Sequence, residues 1–289
     1  MIPPNFDYLA PKTLSDAVAA LVQNENAKVL AGGQSLIPVM RFRLASPAVL
    51  VDLNRIEGLS YIKEDNGWLN IGAMTRESDL EHSSLVREKY SLLADAARVI
   101  SDPIVRNLGT VGGNLANADP GNDHPATMLA YGAEVVVVGP GGERVVPIDS
   151  FFVGLYESAL AANEILTEVR IPTAKDRSGG AYLKLERKVG DFGTVAVAAQ
   201  VQLDEDDNFT SVGIGLTNVG LTAIKATTAE EFLRGKPPTD ENIRQAAQLA
   251  SEAAEPVADF RGSEEYKRSL VKTYTVRALR KAVERAKGG

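Results

Sequence analysis

Two widely separated diglycine segments, Ala31-Gly32-Gly33-Gln34-Ser35 and Thr110-Val111-Gly112-Gly113-Asn114, constrain this chain more than any other feature. Each sets side-chain-free backbone beside small polar residues, so peptide N–H groups can approach an anion with no Cβ in the way. Both read as turns, and two such turns can hold a diphosphate from opposite sides. The first follows the strand-like run Lys28-Val29-Leu30-Ala31 and passes through Gln34 and Ser35 into a helix start at Leu36, an arrangement that offers free N–H groups. Thr110 and Asn114 add a hydroxyl and an amide at the ends of the second. Neither segment is G-x-G-x-x-G, and Gly213-Ile214-Gly215-Leu216-Thr217-Asn218 lacks the third glycine, which disfavours a nicotinamide-binding doubly wound domain.

The formal net charge of -7 argues against a nucleic-acid groove or an anionic membrane surface, so an anionic ligand must be held locally. A length of 289 residues, 44% hydrophobic and 24% charged, suits a soluble protein of roughly two domains. The absence of cysteine excludes disulfides, thiolate metal sites and any iron–sulfur cluster ligated by this chain. If electrons pass through it, another chain holds the clusters. No basic and apolar leader opens the sequence, and no run approaches the ~20 apolar residues of a membrane span. The expectation is a cytoplasmic protein without a transmembrane segment, with a peripheral position on the inner membrane face open through a partner.

Periodicity predicts a helix from Thr13, with Asp16 in a capping-box-like position, and buried strands at Lys28–Ala31 and Val49–Leu53. Between them Leu36 to Leu44 reads as a helical piece interrupted by Pro38. Further on, a strand is expected at Trp68–Ala73, one or two helices over Thr75–Ala97, a loop over Ser101–Asn107, and a hairpin from Glu134 to Val146. The polar, Pro- and Gly-rich stretch Ile171–Gly180 places a domain boundary between residues 175 and 176. Strands then dominate at Ala181–Lys188, Thr194–Leu203 and Thr210–Leu216, and helices from Glu230 onward. The basic residues Arg280, Lys281, Arg285 and Lys287 near the carboxy terminus suit the negative end of a helix dipole.

Asn114 to Pro125 is dense in polar side chains, and Asp119 and Asp123 suit hydrogen bonds to sugar or ribityl hydroxyls as well as a solvated loop. His82 and His124 lie too far apart to suggest a metal pair, and no Ser/His/Asp arrangement or carboxylate pair stands out. No catalytic residue and no metal ligand is expected in this chain. The run Lys184 to Gly193 has two readings. It is a charged edge strand, or it sets Lys184 against negative charge on a ligand and Phe192 against a planar ring.

Taken together, the two diglycines, Asp119-Pro120-Gly121-Asn122-Asp123, Glu164 to Pro172, Lys184 to Phe192 and Ile214 to Asn218 resemble the FAD-binding medium subunits of molybdenum hydroxylases of the xanthine oxidase family. Met1-Ile2-Pro3, Ala31 to Pro38 and Asp119 to Asp123 are most similar to the family's aerobic carbon monoxide dehydrogenase branch. The resemblance implies an α+β fold. A FAD-binding domain over residues 1–175, of subdomains about 1–57 and 58–175, precedes a carboxy-terminal domain over 176–289 with a three-stranded antiparallel sheet and a helical bundle. By the same resemblance, Val29, Leu30, Ala31, Gly32, Gly33, Gln34, Ser35 and Leu36, with Thr110, Val111, Gly112, Gly113 and Asn114, hold the FAD diphosphate and adjoining groups. Ile100 and Leu166 lie against the rings, Asp123 and Lys184 make polar contacts, and Phe192 takes the place of an aromatic residue over the isoalloxazine, where that branch tends to have tyrosine.

The implied partners are a large subunit with molybdopterin cytosine dinucleotide and molybdenum, plus copper if carbon monoxide is the substrate, and a small subunit with two [2Fe–2S] clusters. The implied assembly is a dimer of heterotrimers, and the implied acceptor of electrons from FAD is a quinone. The other readings are the same subunit serving an N-heterocycle, aldehyde or acyl-CoA hydroxylase, a free-standing flavin oxidoreductase, and a flavin-free scaffold.

Overall fold

The computed structural model describes residues 2–289 and has an α+β architecture. It opens with strand β1 (Asp7–Leu9), helix α1 (Leu14–Gln23), strand β2 (Ala27–Leu30), helix α2 (Leu36–Arg41) and strand β3 (Val49–Asp52). The Thr13 hydroxyl caps α1 by accepting the Asp16 N–H, and Ala17, Val18 and Leu21 recur at helical spacing on its buried face. The strands pair in parallel in the order β1-β3-β2. A central parallel strand is covered on both faces, which is why β3 is buried at every residue. Parallel pairing also brings the carboxyl ends of β2 and β3 to one edge, where Ala31 and Asn54 follow. Pro38 does not interrupt α2, because it sits in the first turn, where a missing N–H breaks no helical bond.

An antiparallel sheet comes next, from β4 (Ile62–Asp65), β5 (Trp68–Gly72), β6 (Glu134–Gly139) and β7 (Gly142–Pro147). After the small hairpin β8 (Phe152–Gly154) and β9 (Glu157–Ser158), strand β10 (Ile165–Pro172) enters its centre, giving the order β4-β5-β10-β6-β7. Between β5 and β6 run α3 (Glu77–His82), α4 (Ser84–Lys89), α5 (Ser91–Val99), α6 (Pro103–Arg106), α7 (Val111–Asn117) and α8 (Asp123–Tyr131). The helical stretch expected over Thr75–Ala97 is thus three pieces, broken at Ser83 and Tyr90, whose backbones leave the helical region. The loop expected over Ser101–Asn107 contains α6, with Asp102 as its N-cap and Pro103 at its first position.

Residues 173–177 connect this sheet to another antiparallel sheet of β11 (Ser178–Leu185), β12 (Val195–Leu203), β13 (Phe209–Thr217) and β14 (Ile224–Lys225), in that order. The expected three strands gain the short fourth, β14. Helices α9 (Thr227–Leu233), α10 (Asp240–Ala253) and α11 (Glu264–Ala286) complete the chain. Alternation along β12 sends Val195, Val197, Ala199 and Val201 into a core with these helices, and Ala196 and Ala198 into the opposite core with α5 and α8.

The glycines of the Gly213-Ile214-Gly215 string serve that second interface. A Cβ on Gly213 would lie 1.9 Å from the Ala130 carbonyl oxygen of α8, and one on Gly215 2.0 Å from that of Ala126. The basic residues at the end of α11 do more than complement a dipole. Arg280 pairs with Asp240 at 2.7 Å, Lys287 with Asp207 at 2.6 Å, and Arg285 with the buried Asp95 of α5 at 2.6 Å. Gly215→Ala is expected to lower stability by about 2 kcal/mol or more through overpacking against α8. The urea midpoint of the full chain checks this, and a midpoint equal to wild type would refute it.

Candidate functional site

The two diglycine segments meet, and they do so backbone to backbone. A Cβ on Gly32 would lie 2.2 Å from the Leu108 carbonyl oxygen and 2.8 Å from the Gly109 Cα. On the facing side, a Cβ on Gly113 would lie 2.7 Å from Thr110 Oγ1 and 3.6 Å from the Ala31 Cβ. Only glycine permits the first of these approaches. Gly33 has φ +73°, a left-handed conformation that glycine adopts without strain and that lets β2 turn into α2.

The N–H groups of Gly32, Gly33, Gln34 and Ser35 donate to no partner among the described residues. Ser35 is the N-cap of α2 without a side-chain cap bond, so the row continues into the open start of that helix at Leu36. An exposed row of undonated N–H groups is a site for anionic oxygens.

The second diglycine differs. It is the first turn of α7, not a turn between elements, because the Thr110 hydroxyl accepts the Gly113 N–H at 3.1 Å and caps the helix. The remaining donors there are also engaged: Val111 N–H with Thr75 O at 3.0 Å, Gly112 N–H with Ala73 O at 2.9 Å, and Asn114 N–H with Thr110 O at 2.9 Å. The expectation that peptide N–H groups grip a diphosphate from both sides is therefore corrected. Gly112 is required by packing, since its Cβ would lie 2.5 Å from the Ala73 Cβ.

The row of free N–H groups opens on a cleft of about 530 Å³, bounded by Gly32, Gly33 and Gln34, by the apolar Ile37 and Leu108, and by Arg41, Asn54 and Arg76. The last three were not among the expected site residues. Asn54 had a signal: it follows β3, and ligands of parallel sheets gather beyond the carboxyl ends of adjacent strands. Arg76 had none, since its place depends on the pairing of Arg76 with Thr110 across the fold.

Leu30 and Ala31 also line this cleft, and the remaining expected residues lie apart from its walls. Val29 belongs to β2, and Ile100 and Leu166 are buried, Leu166 at the irregular register of β10 against β6. Asp123 and Lys184 are paired with each other at 2.9 Å, with side chains 6% and 3% exposed. Lys184 also donates to Val99 O at 3.0 Å, and Asp123 accepts the Tyr182 hydroxyl at 2.7 Å. The ammonium charge of Lys184 is thus matched within the chain. Burial pushes the Asp123 carboxyl above the usual carboxylate range, against the lowering effect of Lys184. Asp119, raised by burial as well, accepts the Gly121 N–H at 2.9 Å.

Phe192 is half-exposed at 47% and lies against Gly121, whose added Cβ would be 2.9 Å from its ring. The strand ends at Leu185, so Phe192 stands in the segment that connects β11 to β12. Asn122 Nδ2 donates to Asn114 O at 2.9 Å, and Asn114 Oδ1 is buried without a partner. These contacts run the expected residues in a line from the first diglycine through α7 and the 118–122 turn to Phe192. His124 Nε2 lies 2.7 Å from Glu77 Oε2, deep beneath α7.

Comparison with known proteins covers nearly the whole chain. Residues 4–174 match the family described as the FAD binding domain in molybdopterin dehydrogenase, and 180–282 match the CO dehydrogenase flavoprotein C-terminal domain. The chain is 44% identical to the carbon monoxide dehydrogenase medium chain of Hydrogenophaga pseudoflava, over 98% of each. The solved carbon monoxide dehydrogenase of that organism lacking the Mo-pyranopterin moiety of its cofactor superposes with a TM-score of 0.96 at 45% identity, over 99% of each chain. A cyanide-inactivated Cu,Mo-CO dehydrogenase gives a TM-score of 0.96 at 40% identity, over 99% of this chain and 100% of that one.

Lys184→Met leaves a buried carboxylate without its cation and is expected to cost about 3 kcal/mol near neutrality. The remaining Asp123 has a folded pKa raised above its unfolded value, so protonation favours the fold and stability falls as pH rises through that raised pKa. The melting deficit against wild type should therefore shrink from about pH 8 to about pH 5. Adding Asp123→Asn should restore much of it at the higher pH. A deficit that does not change with pH would remove the carboxylate as its cause.

Proposed function

This chain belongs to the FAD-binding family of the molybdopterin dehydrogenases, and from that premise we propose that it is the electron-transfer medium subunit of an aerobic carbon monoxide dehydrogenase. The observation that carries the reading is the row of undonated N–H groups at Gly32, Gly33, Gln34 and Ser35 opening on a cleft with Arg41 and Arg76. Donors and cations of this kind fit the diphosphate of FAD. On this reading the loop holds the diphosphate, while α7 and Thr110 to Asn114 form the adjoining wall. Val29, Leu30 and Leu36 set the loop's ends. Ile100 and Leu166 supply buried apolar support, Asp123 and Lys184 form a neutral buried pair beside it, and Phe192 limits access to the ring system.

FAD, when bound, accepts electrons singly and returns them in pairs, which suits a position between one-electron clusters and a two-electron acceptor. The chain's own task is then to bind, orient and shield, and no side chain is assigned a catalytic proton transfer. Oxidation of carbon monoxide and water to carbon dioxide, two protons and two electrons belongs to the large molybdenum- and copper-bearing subunit. Two [2Fe–2S] clusters of a small subunit relay the electrons. Since this chain has no cysteine, those clusters cannot be its own.

We place the domain division at 175/176, with subdomains meeting near residue 57, and the complex as a dimer of heterotrimers in the cytoplasm at the inner membrane face, passing electrons to a quinone. No helix among the described residues is long and apolar enough to cross a membrane, so such a position would be peripheral for these helices. The test is purification of this chain with its natural partners. The complex is expected to contain molybdenum, copper, iron and about one FAD per copy of this chain, and to reduce a dye with carbon monoxide. The chain alone should take up FAD without oxidising carbon monoxide. A copper-free complex that oxidises an N-heterocycle or aldehyde instead would overturn the substrate, and a chain that stays colourless with excess FAD would overturn the whole reading.

A further inference from the structure

We infer that Arg76 is a positioning residue for the dinucleotide, acting through Asn54 to fix the direction of the N–H groups in the first diglycine loop. This rests on the reading that the cleft binds FAD and names a part of the machinery that reading leaves open. Arg76 is half-buried at the N-cap of α3. Its guanidinium donates to Leu108 O at 2.6 Å on one side and to Asn54 Oδ1 at 2.6 Å on the other. Arginine has no acceptor, so the amide oxygen of Asn54 must face it and the amide nitrogen must face away. That nitrogen donates to Ala31 O at 3.0 Å. The Asn54 backbone N–H is in turn held by Asp52 Oδ1 at 2.9 Å, which anchors the residue at the end of β3.

The consequence follows from peptide geometry. In a planar trans peptide the carbonyl and the next N–H point in opposite directions. Holding Ala31 O toward Asn54 therefore sets the Gly32 N–H, the first of the undonated donors, pointing away from Asn54. The line Leu108–Arg76–Asn54–Ala31 joins the same two segments that touch at Gly32, so it fixes their relative angle where the glycine contact fixes only their distance. A second observation points the same way. Both acceptors of Arg76 are neutral, and it forms no ion pair with a carboxylate among the described residues. A guanidinium left unneutralised at the wall of a cleft, in a chain of net charge -7, suits a doubly negative diphosphate.

The test uses the full-length apoprotein of wild type, Arg76→Ala, Asn54→Ala and the double variant, titrated with FAD by flavin fluorescence, with melting of each apoprotein in parallel. Each single variant is expected to weaken FAD binding by about tenfold or more while the apoprotein melts close to wild type. The double variant should match Arg76→Ala within about twofold, because the two losses lie on one path to the loop. Free guanidinium at low concentration should recover part of the affinity of Arg76→Ala and none of that of Asn54→Ala. Arg76→Ala binding FAD like wild type, losses that multiply in the double variant, or losses that track a lowered melting temperature would each overturn the inference while leaving the FAD reading intact. A wild-type chain that takes up no FAD would remove both.

Discussion

The approach of Gly32 to the Leu108–Gly109 backbone is the constraint on which the rest of this structure depends. It joins a parallel unit built on β1, β2 and β3 to a helical and antiparallel unit that has a separate sheet. Any side chain at that point would hold the two apart by the width of a methyl group, since a Cβ there would sit 2.2 Å from a carbonyl oxygen. The cleft lies beside this contact, bounded by residues of both units. Gly112 against Ala73, and Gly213 and Gly215 against α8, repeat the device. Each replaces a side-chain contact by a backbone contact, so the positions of neighbouring elements are set by peptide geometry instead of by rotamers.

Several buried charged groups are paired across the fold, while the buried carboxylates of Asp52 and Glu230 are held by neutral donors. Asp123 with Lys184, Glu77 with His124, and Asp95 with Arg285 each connect different elements, and two of these pairs run between the amino-terminal region and β11 or α11. Buried pairs of this kind contribute little net stability compared with apolar packing, but breaking one is costly, so they penalise alternative alignments of the parts they join. Arg41 and Arg76 line the cleft of this acidic chain, and the nearby carboxylate of Asp52 is occupied by Tyr8 and Asn54.

Much of this was legible in the sequence, for identifiable reasons. The capped start of α1, the buried β3 and the strands β11 to β13 announce themselves through Thr13, through the Val49-Leu50-Val51 run and through alternation, all of which are local signals. The family resemblance added the antiparallel sheet and the helical bundle of the carboxy-terminal domain. Three features were not legible. The second diglycine looked like a turn because a helix opening on two glycines has poor propensity, and only the Thr110 cap and packing against Ala73 make it a helix. Lys184 looked like a ligand contact because its partner, Asp123, is remote in sequence and approaches through tertiary packing. Arg76 gave no signal at all, since a guanidinium on a surface-patterned helix start is indistinguishable from any other until its two acceptors are brought together by the fold.

The pairing of Arg285 with Asp95 also has a bearing on how the chain matures. Asp95 and Arg285, in α11, are separated by 190 residues, so the carboxylate is synthesised well before its guanidinium partner. Amino-terminal regions generally begin to fold during synthesis. Of the ionic partners of the α5 carboxylate, only Arg98 precedes α11 in the sequence. The contact of α11 with α5 can close only once α11 has been made, so a chain paused before that point leaves this face open to a folding helper or to a protease.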